Sequence, residues 1–211
     1  VKVGDDIFFF FLYGKEFFRF TKKEVEAIAD KLKGMTDDAA KKYLDELIDL
    51  SKKAKLFNFK KKELLDFYLN ENKGINSWIA PLKVKYLDEA EKLQHQLLIK
   101  EGKLFDFNGK PFNSLDLDNR FNNGKAIFVM DEYGRIFAST KNKPTFFHHS
   151  SFLAGKPVSF AGEIEVIDGI ILSISNNSGH YQLEKEFFSQ FIDFLNYSKV
   201  DTNSIEKILI K

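Results

Sequence analysis

The stretch VSFAGEIEVIDGIILSIS, residues 158 to 175, restricts the fold more than any other part of the chain. Ile164 and Val166 alternate with polar residues before Asp168-Gly169, and Leu172 and Ile174 alternate after it. Asp-Gly is a strong signal for a two-residue hairpin turn, because both of its positions tolerate a left-handed backbone. A helix cannot satisfy this period of two, so an antiparallel pair of strands is expected here. A second hairpin is expected upstream, where AIFVM and RIFAS flank DEYG at Asp131–Gly134. After these strands, LEKEFFSQFIDFLNY places Phe187, Phe191 and Leu195 at helical spacing, and EKILIK near the end reads as a last short strand.

Residues 21 to 100 follow another rule. TKKEVEAIADKLKG opens on a capping box, Thr21 with Glu24, carries Val25, Ile28, Ala29 and Leu32 on one face, and stops at Gly34. TDDAAKKYLDELIDLSKKAKLF has Thr36 as N-cap, acids in the first turn and lysines in the last. KKKELLDFYL and, after Pro81, LKVKYLDEAEKLQHQLLIK are expected to add two further helices, with His95 exposed on the second. The expected class is therefore α+β: a helical N-terminal half over 1–110, then a compact mixed unit over 115–211 built on β-hairpins and a C-terminal helix.

Composition removes several functions. The chain has 211 residues, 44% of them hydrophobic, enough for a substantial core, and 24 are Phe. It has no cysteine, which excludes disulfides, thiolate metal sites and a cysteine nucleophile. With 32 basic and 31 acidic residues there is no overall field to attract nucleic acid. The longest apolar run, Ile7 to Tyr13, is too short to span a bilayer and lacks the flanks of a signal peptide. The initial Val1, in place of Met, suggests a piece of a longer chain, so targeting signals could lie outside it. GxGxxG, GxxxxGK[ST] and HExxH are all missing, so Rossmann, P-loop and zincin readings have no support. Arg19, Arg120 and Arg135 are the only arginines, which leaves few candidates for clamping phosphate.

Polar groups gather instead in FFHHSSF, residues 146 to 152, and in NNSGHYQLEKE, residues 176 to 186. His148 and His149 are adjacent. In extended chain they point to opposite faces, so one can face a pocket while the other is a hydrogen-bonded core residue or a solvated one. His180 and Glu184 are four apart, and a helix beginning near Tyr181 would set the carboxylate beside the imidazole and leave one ring nitrogen as base or ligand. The same spacing also occurs in ordinary surface pairs. NNSG, with Gly179 permitting a sharp turn, is either a plain capping turn or a phosphate-holding loop. A metal on His148 or His149 with His180 and Glu184 is geometrically allowed, though no spacing signature fixes one, and none is expected. Glu163 and Glu165 in GEIEV read as the wet face of a strand.

Taken in order, FHHSSFLAGKPV, AGEIEV, DGIILSIS and SGHYQLEKE resemble a block found in the plant IQ-motif calmodulin-binding proteins. The block is also similar to bacterial toxin and effector domains marked by a Ser and a His-x-x-x-Glu, among them the LnaB-like actin-activated AMPylases. The similarity covers roughly residues 124 to 211. It implies a secreted bacterial effector, working in the host cytoplasm, that transfers AMP from ATP to a protein-linked acceptor such as a phosphoryl group. By that resemblance the motif falls on His180, Glu184 and either Ser150 or Ser151. His180 would serve as base or phosphate donor and Glu184 would orient it. His149, Arg135, Lys141, Lys156, Ser178 and Gly179 would contact nucleotide, with ATP and Mg²⁺ as cofactors and host actin as partner.

Two other readings compete. One is an NAD-dependent ADP-ribosyltransferase using the His and Glu residues of FHHSS and GEIEV. The other is a non-enzymatic actin- or calmodulin-binding module, for which SKKAKLFNFKKKELLDF, residues 51 to 67, is a candidate basic amphipathic helix.

Overall fold

The computed structural model describes the chain except for residues 1, 4, 5, 14, 15, 70, 74–82, 117–122, 142, 144, 145 and 211. Arg120 is therefore outside the described residues, as are the side chains of Arg19, Thr21 and Glu24. The class is mixed α+β. Strands β1 (Lys2–Val3), β2 (Asp6–Tyr13) and β3 (Glu16–Thr21) form a small antiparallel sheet. Helices α1 (Lys22–Leu32) and α2 (Asp37–Phe57) follow as expected, the latter with the Thr36 hydroxyl accepting from the amide of Ala39 at 3.4 Å.

The main sheet has seven strands in the order β10-β9-β8-β6-β7-β4-β5. These are β4 (Gln96–Lys100), β5 (Lys103–Phe105), β6 (Ala126–Met130), β7 (Ile136–Ser139), β8 (Phe160–Ile167), β9 (Ile170–Ser175) and β10 (Glu206–Ile208). Both expected hairpins form. β6 and β7 pair through Met130 and Ile136, and β8 and β9 through Ile167 and Ile170, with Asp168 and Gly169 at φ +48° and +79°. The sheet curls until the β5 end reaches the β8–β9 turn, where the Leu104 amide donates to Gly169 O at 2.8 Å.

Every residue of β6 and β7 is buried, because the sheet's curl covers one face and other elements cover the opposite one. Helix α5 (Lys185–Tyr197) supplies Phe187, Phe188, Phe191, Phe194 and Leu195 to the core, and Phe191 stacks on Phe160 with centroids 4.6 Å apart. Burying each such aromatic contributes about 1.5–3 kcal/mol. Helix α5 also carries the chain from β9 to β10, which pair in parallel and so need a long crossover.

Four expectations fail between Ser51 and Lys100, all for tertiary reasons. KKKELLDFYL is not an α-helix: the Lys62 amide donates to Val158 O at 2.8 Å, the Leu65 amide donates to His180 O at 3.1 Å, and only Asp66–Tyr68 makes a 3-10 turn. These long-range bonds take donors that a helix would have used internally. The candidate basic helix over 51–67 accordingly ends with α2 at Phe57.

LKVKYLDEAEKLQHQLLIK also divides. A capping box of Asp88 and Glu91 starts the short α3 (Glu89–Gln94), and Leu97 then pairs with Ile136 in the sheet. His95 is half-buried between Phe147 and Phe152, its Nδ1 on Ala138 O at 3.1 Å. Burial, partly opposed by that hydrogen bond, lowers its pKa. The N-terminal half is thus not simply helical, and β4 and β5 belong to the same sheet as β6 to β10. Among the described residues no helix is long and apolar enough to cross a membrane.

Candidate functional site

The segment HHSS folds as one short turn of helix, α4 (His149–Phe152), with the Ser151 hydroxyl accepting from the His148 amide at 3.0 Å. This turn separates the two histidines. His149 points into the sheet, where its Nε2 donates to Gly162 O at 2.8 Å, and burial lowers its pKa to about 4. A Cβ on Gly162 would lie 1.8 Å from Ser175 O, so only glycine lets the strands and the imidazole meet there.

On the other side of the turn, the His148 ring lies 4.6 Å from the His180 ring. His180 Nε2 donates to Glu71 Oε2 at 3.0 Å, and the Tyr68 ring stacks on His180 at 4.1 Å. Tyr86 donates its hydroxyl to Glu71 Oε1 at 3.3 Å. The Ser150 hydroxyl is sealed from solvent and lies toward Glu71. It helps to lower that pKa, yet falls short of full hydrogen-bond geometry. A buried hydroxyl so placed carries a desolvation cost that a ligand could offset.

Opposing influences act on Glu71. Burial raises its pKa, but the hydrogen bond from His180, the Ser150 hydroxyl lying toward it and the attraction to His180 outweigh burial, so the net shift is downward. Burial, reinforced by His180, lowers His148 to about 4, so this ring is neutral at pH 7. Tyr86 is pushed up to about 12, first by burial and then by the carboxylate beside it.

The segment from Lys60 to Lys73 brings Tyr68 and Glu71 to the motif. It is tied down by the Lys62–Val158 and Leu65–His180 backbone bonds and by the Val84 amide donating to Glu71 O at 3.1 Å. Sequence reasoning missed Tyr68, Glu71 and Tyr86. They lie far along the chain from His180, and no spacing rule distinguishes Glu71 from the other acids.

The expected partner of His180 is placed elsewhere. Gln182, at φ +44°, breaks the helical continuation, α5 begins at Lys185, and Glu184 is its N-cap residue with its carboxylate on Lys62 at the surface. The sharp backbone position is Gln182 and not Gly179, which has open space around it. Hydrogen bonding to Lys62 lowers the Glu184 pKa.

Ser178 and Gly179 line a cleft of about 710 Å³ with Gln182, Glu184 and Ile210, and the buried Ser178 hydroxyl has no hydrogen-bond partner. Of the expected cations, Arg135 bonds Asp131 at 2.6 Å beside the β6–β7 turn. Lys141 lies near His95, lowering its pKa, and Lys156 is an exposed residue whose carbonyl accepts from the Tyr181 hydroxyl at 2.9 Å. Among the described residues, no three His, Asp or Glu side chains come together as a metal-binding group.

The family model of the IQ motif-containing protein middle domain matches residues 91–188, which contain α4, β6 to β9 and His180. The IQ domain-containing protein IQM2 of Arabidopsis thaliana is 32% identical over 124 residues, 58% of this chain and 20% of that protein. IQM3 is 33% identical over 124 residues, and IQM1 is 31% identical over 139 residues, covering 66% of this chain and 27% of that protein. The match thus spans roughly a fifth to a quarter of these relatives' length. No solved structure matches the chain significantly. Over residues 91–188, this chain carries a segment that matches the middle domain of the IQ motif-containing proteins.

Proposed function

We propose that the protein is an adenylyltransferase that moves AMP from ATP to a protein-linked phosphoryl oxygen. The acceptor oxygen attacks the α-phosphorus, a new P–O bond forms, the bond to the bridging oxygen of the β-phosphate breaks, and pyrophosphate leaves. A phosphoryl acceptor is already deprotonated near neutral pH, so the site chiefly has to hold and neutralise phosphate oxygens. The observation that carries this reading is the buried cluster itself. An imidazole anchored to a carboxylate stands near a sealed Ser150 hydroxyl short of a full hydrogen bond, and the residues that immediately precede it in the chain, Ser178 and Gly179, line a cleft in which the Ser178 hydroxyl is unpartnered. The cleft volume lies in the range that accepts a nucleotide-sized ligand. The resemblance to actin-activated AMPylases supplies the donor, Mg²⁺ as its counter-ion, and host actin as activating partner.

A second reading, a non-enzymatic partner-binding module of the calmodulin- or actin-binding kind, draws on the exposure of Phe67 and Leu69 beside Tyr68. Incubating the chain in host-cell lysate with labelled ATP or labelled NAD, with and without added actin, separates the readings. AMP label on protein, increased by actin and abolished by His180→Ala with the fold intact, is the expected result. ADP-ribose label would establish the NAD reading. Absence of both labels, with retention of a partner on immobilised chain, would establish the binding module.

A further inference from the structure

We infer that Glu71, and not Glu184, is the positioning residue for His180, holding its proton on Nε2 so that Nδ1 is the ring nitrogen left to take up a proton and donate it in a hydrogen bond to a phosphate oxygen. This inference deepens the adenylyltransferase reading and rests on it only for the identity of the ligand. The geometry is specific at both ends of the carboxylate. Oε2 accepts from His180 at 3.0 Å and Oε1 accepts from Tyr86 at 3.3 Å, so Glu71 cannot turn without losing one of two bonds. Tyr86 is itself confined, because a Cβ on the neighbouring Gly155 would lie 2.7 Å from its hydroxyl. The stacked Tyr68 ring and the His148 ring confine the plane of the imidazole.

A carboxylate that accepts from one ring nitrogen settles which nitrogen carries the proton, and thereby which one is left for chemistry. Glu184 cannot do this from its place at the surface with Lys62. Glu71 touches no reacting atom in this scheme and acts only through His180.

The test is NMR on ¹⁵N-histidine-labelled protein. The wild-type spectrum should show His180 as the Nε2–H tautomer with a proton protected from solvent exchange. Glu71→Ala should lose that protection, Glu71→Gln should restore it because its amide oxygen can accept, and Glu184→Ala should leave it unchanged. A protected signal that persists in Glu71→Ala, or vanishes in Glu184→Ala, would overturn the assignment. If Glu71→Ala does not fold, the side-chain carboxyl titration of Glu71 decides. It should fall below the ordinary glutamate range in the wild type and rise in His180→Ala, and an unchanged titration would overturn the assignment.

AMP transfer is read separately. Glu71→Ala should lower kcat at least tenfold while the KM for ATP stays within about threefold. The NMR pattern without any AMP transfer would leave Glu71 as the positioning residue and remove the adenylyltransferase reading. Transfer by a protein whose His180 signal ignores Glu71 would do the reverse.

Discussion

The two sides of α4 make opposite use of neighbouring residues. On the sheet side, His149 is buried and spends its one donor on Gly162 O, a backbone carbonyl. On the other side, His148, Ser150, Glu71, Tyr86 and His180 form a cluster in which the pKa values of His148 and Glu71 are lowered, that of Tyr86 is raised, and one hydroxyl is short of a full hydrogen bond. Two buried histidines, His149 and His180, therefore differ in what holds them. A carbonyl can only accept, and it fixes a neutral ring as part of the framework. A carboxylate adds charge and leaves the other nitrogen poised for use. Burial alone would not have told the two apart.

The sharpest way to break this comparison is at the framework side. Gly162→Ala should be the most damaging single change, because its Cβ would meet backbone, Ser175 O at 1.8 Å, and backbone cannot swing away as a side chain can. The strand pair must separate, and His149 loses its acceptor as it does so. A loss of roughly 3 kcal/mol or more is expected, read as a lower urea midpoint. A variant within about 1 kcal/mol of the wild type would show that β8 and β9 are not locked at this point.

The difference between the sides also governs the response to acid. His148 and His149 titrate at about 4 in the folded protein, below the ordinary 6.5 that they regain on unfolding. The unfolded chain therefore takes up protons first as the pH falls. Stability from these groups is complete above about 6.5 and is lost progressively toward about 4. For the enclosed His149 this amounts to on the order of 3 kcal/mol, whereas His148, partly open to solvent, contributes less after screening. Glu71, held below its usual 4.5, adds a further loss only under that value. Thermal unfolding from pH 7 to 4 should show this decline, and His149→Gln should flatten most of it. An equally steep decline in that variant would move the cause to the Glu71 side.

What could be read in the sequence follows the same division. The hairpins at Asp131–Gly134 and Asp168-Gly169 and the α5 pattern are local signals, and the fold realises them, whereas the meeting of HHSS with SGHY is expected only from the family resemblance, and the His148 and His180 rings do lie together. The pairing of His180 with Glu184 was also inferred locally, from a spacing of four. It fails because one left-handed residue, Gln182, delays the helix until Lys185. Glu71 was illegible for a different reason. Its position depends on backbone bonds from Lys62 to Val158 and from Leu65 to His180, and the intervening KKKELLDFYL has a composition equally suited to a helix. A segment held by partners about a hundred residues away leaves no periodic trace of its own.

The smallest expected effect lies where the motif carboxylate went. Lys62 and Glu184 pair across the surface with side-chain exposures of 25% and 57%. Such a pair contributes about 0–1 kcal/mol, since water screens the attraction and two long side chains lose freedom. Lys62→Ala should therefore shift the urea midpoint only slightly and reduce it less as salt is raised. Its backbone bonds with Val158 do not depend on the side chain, so the segment carrying Tyr68 and Glu71 should stay in place. The His180 Nε2–H signal reports on this directly. Retention of that signal in Lys62→Ala would mean that the backbone pairing alone delivers Glu71 to the imidazole. Its loss would make the surface pair part of what holds the site together, and the separation between framework and site would then run through Lys62 as well as through α4.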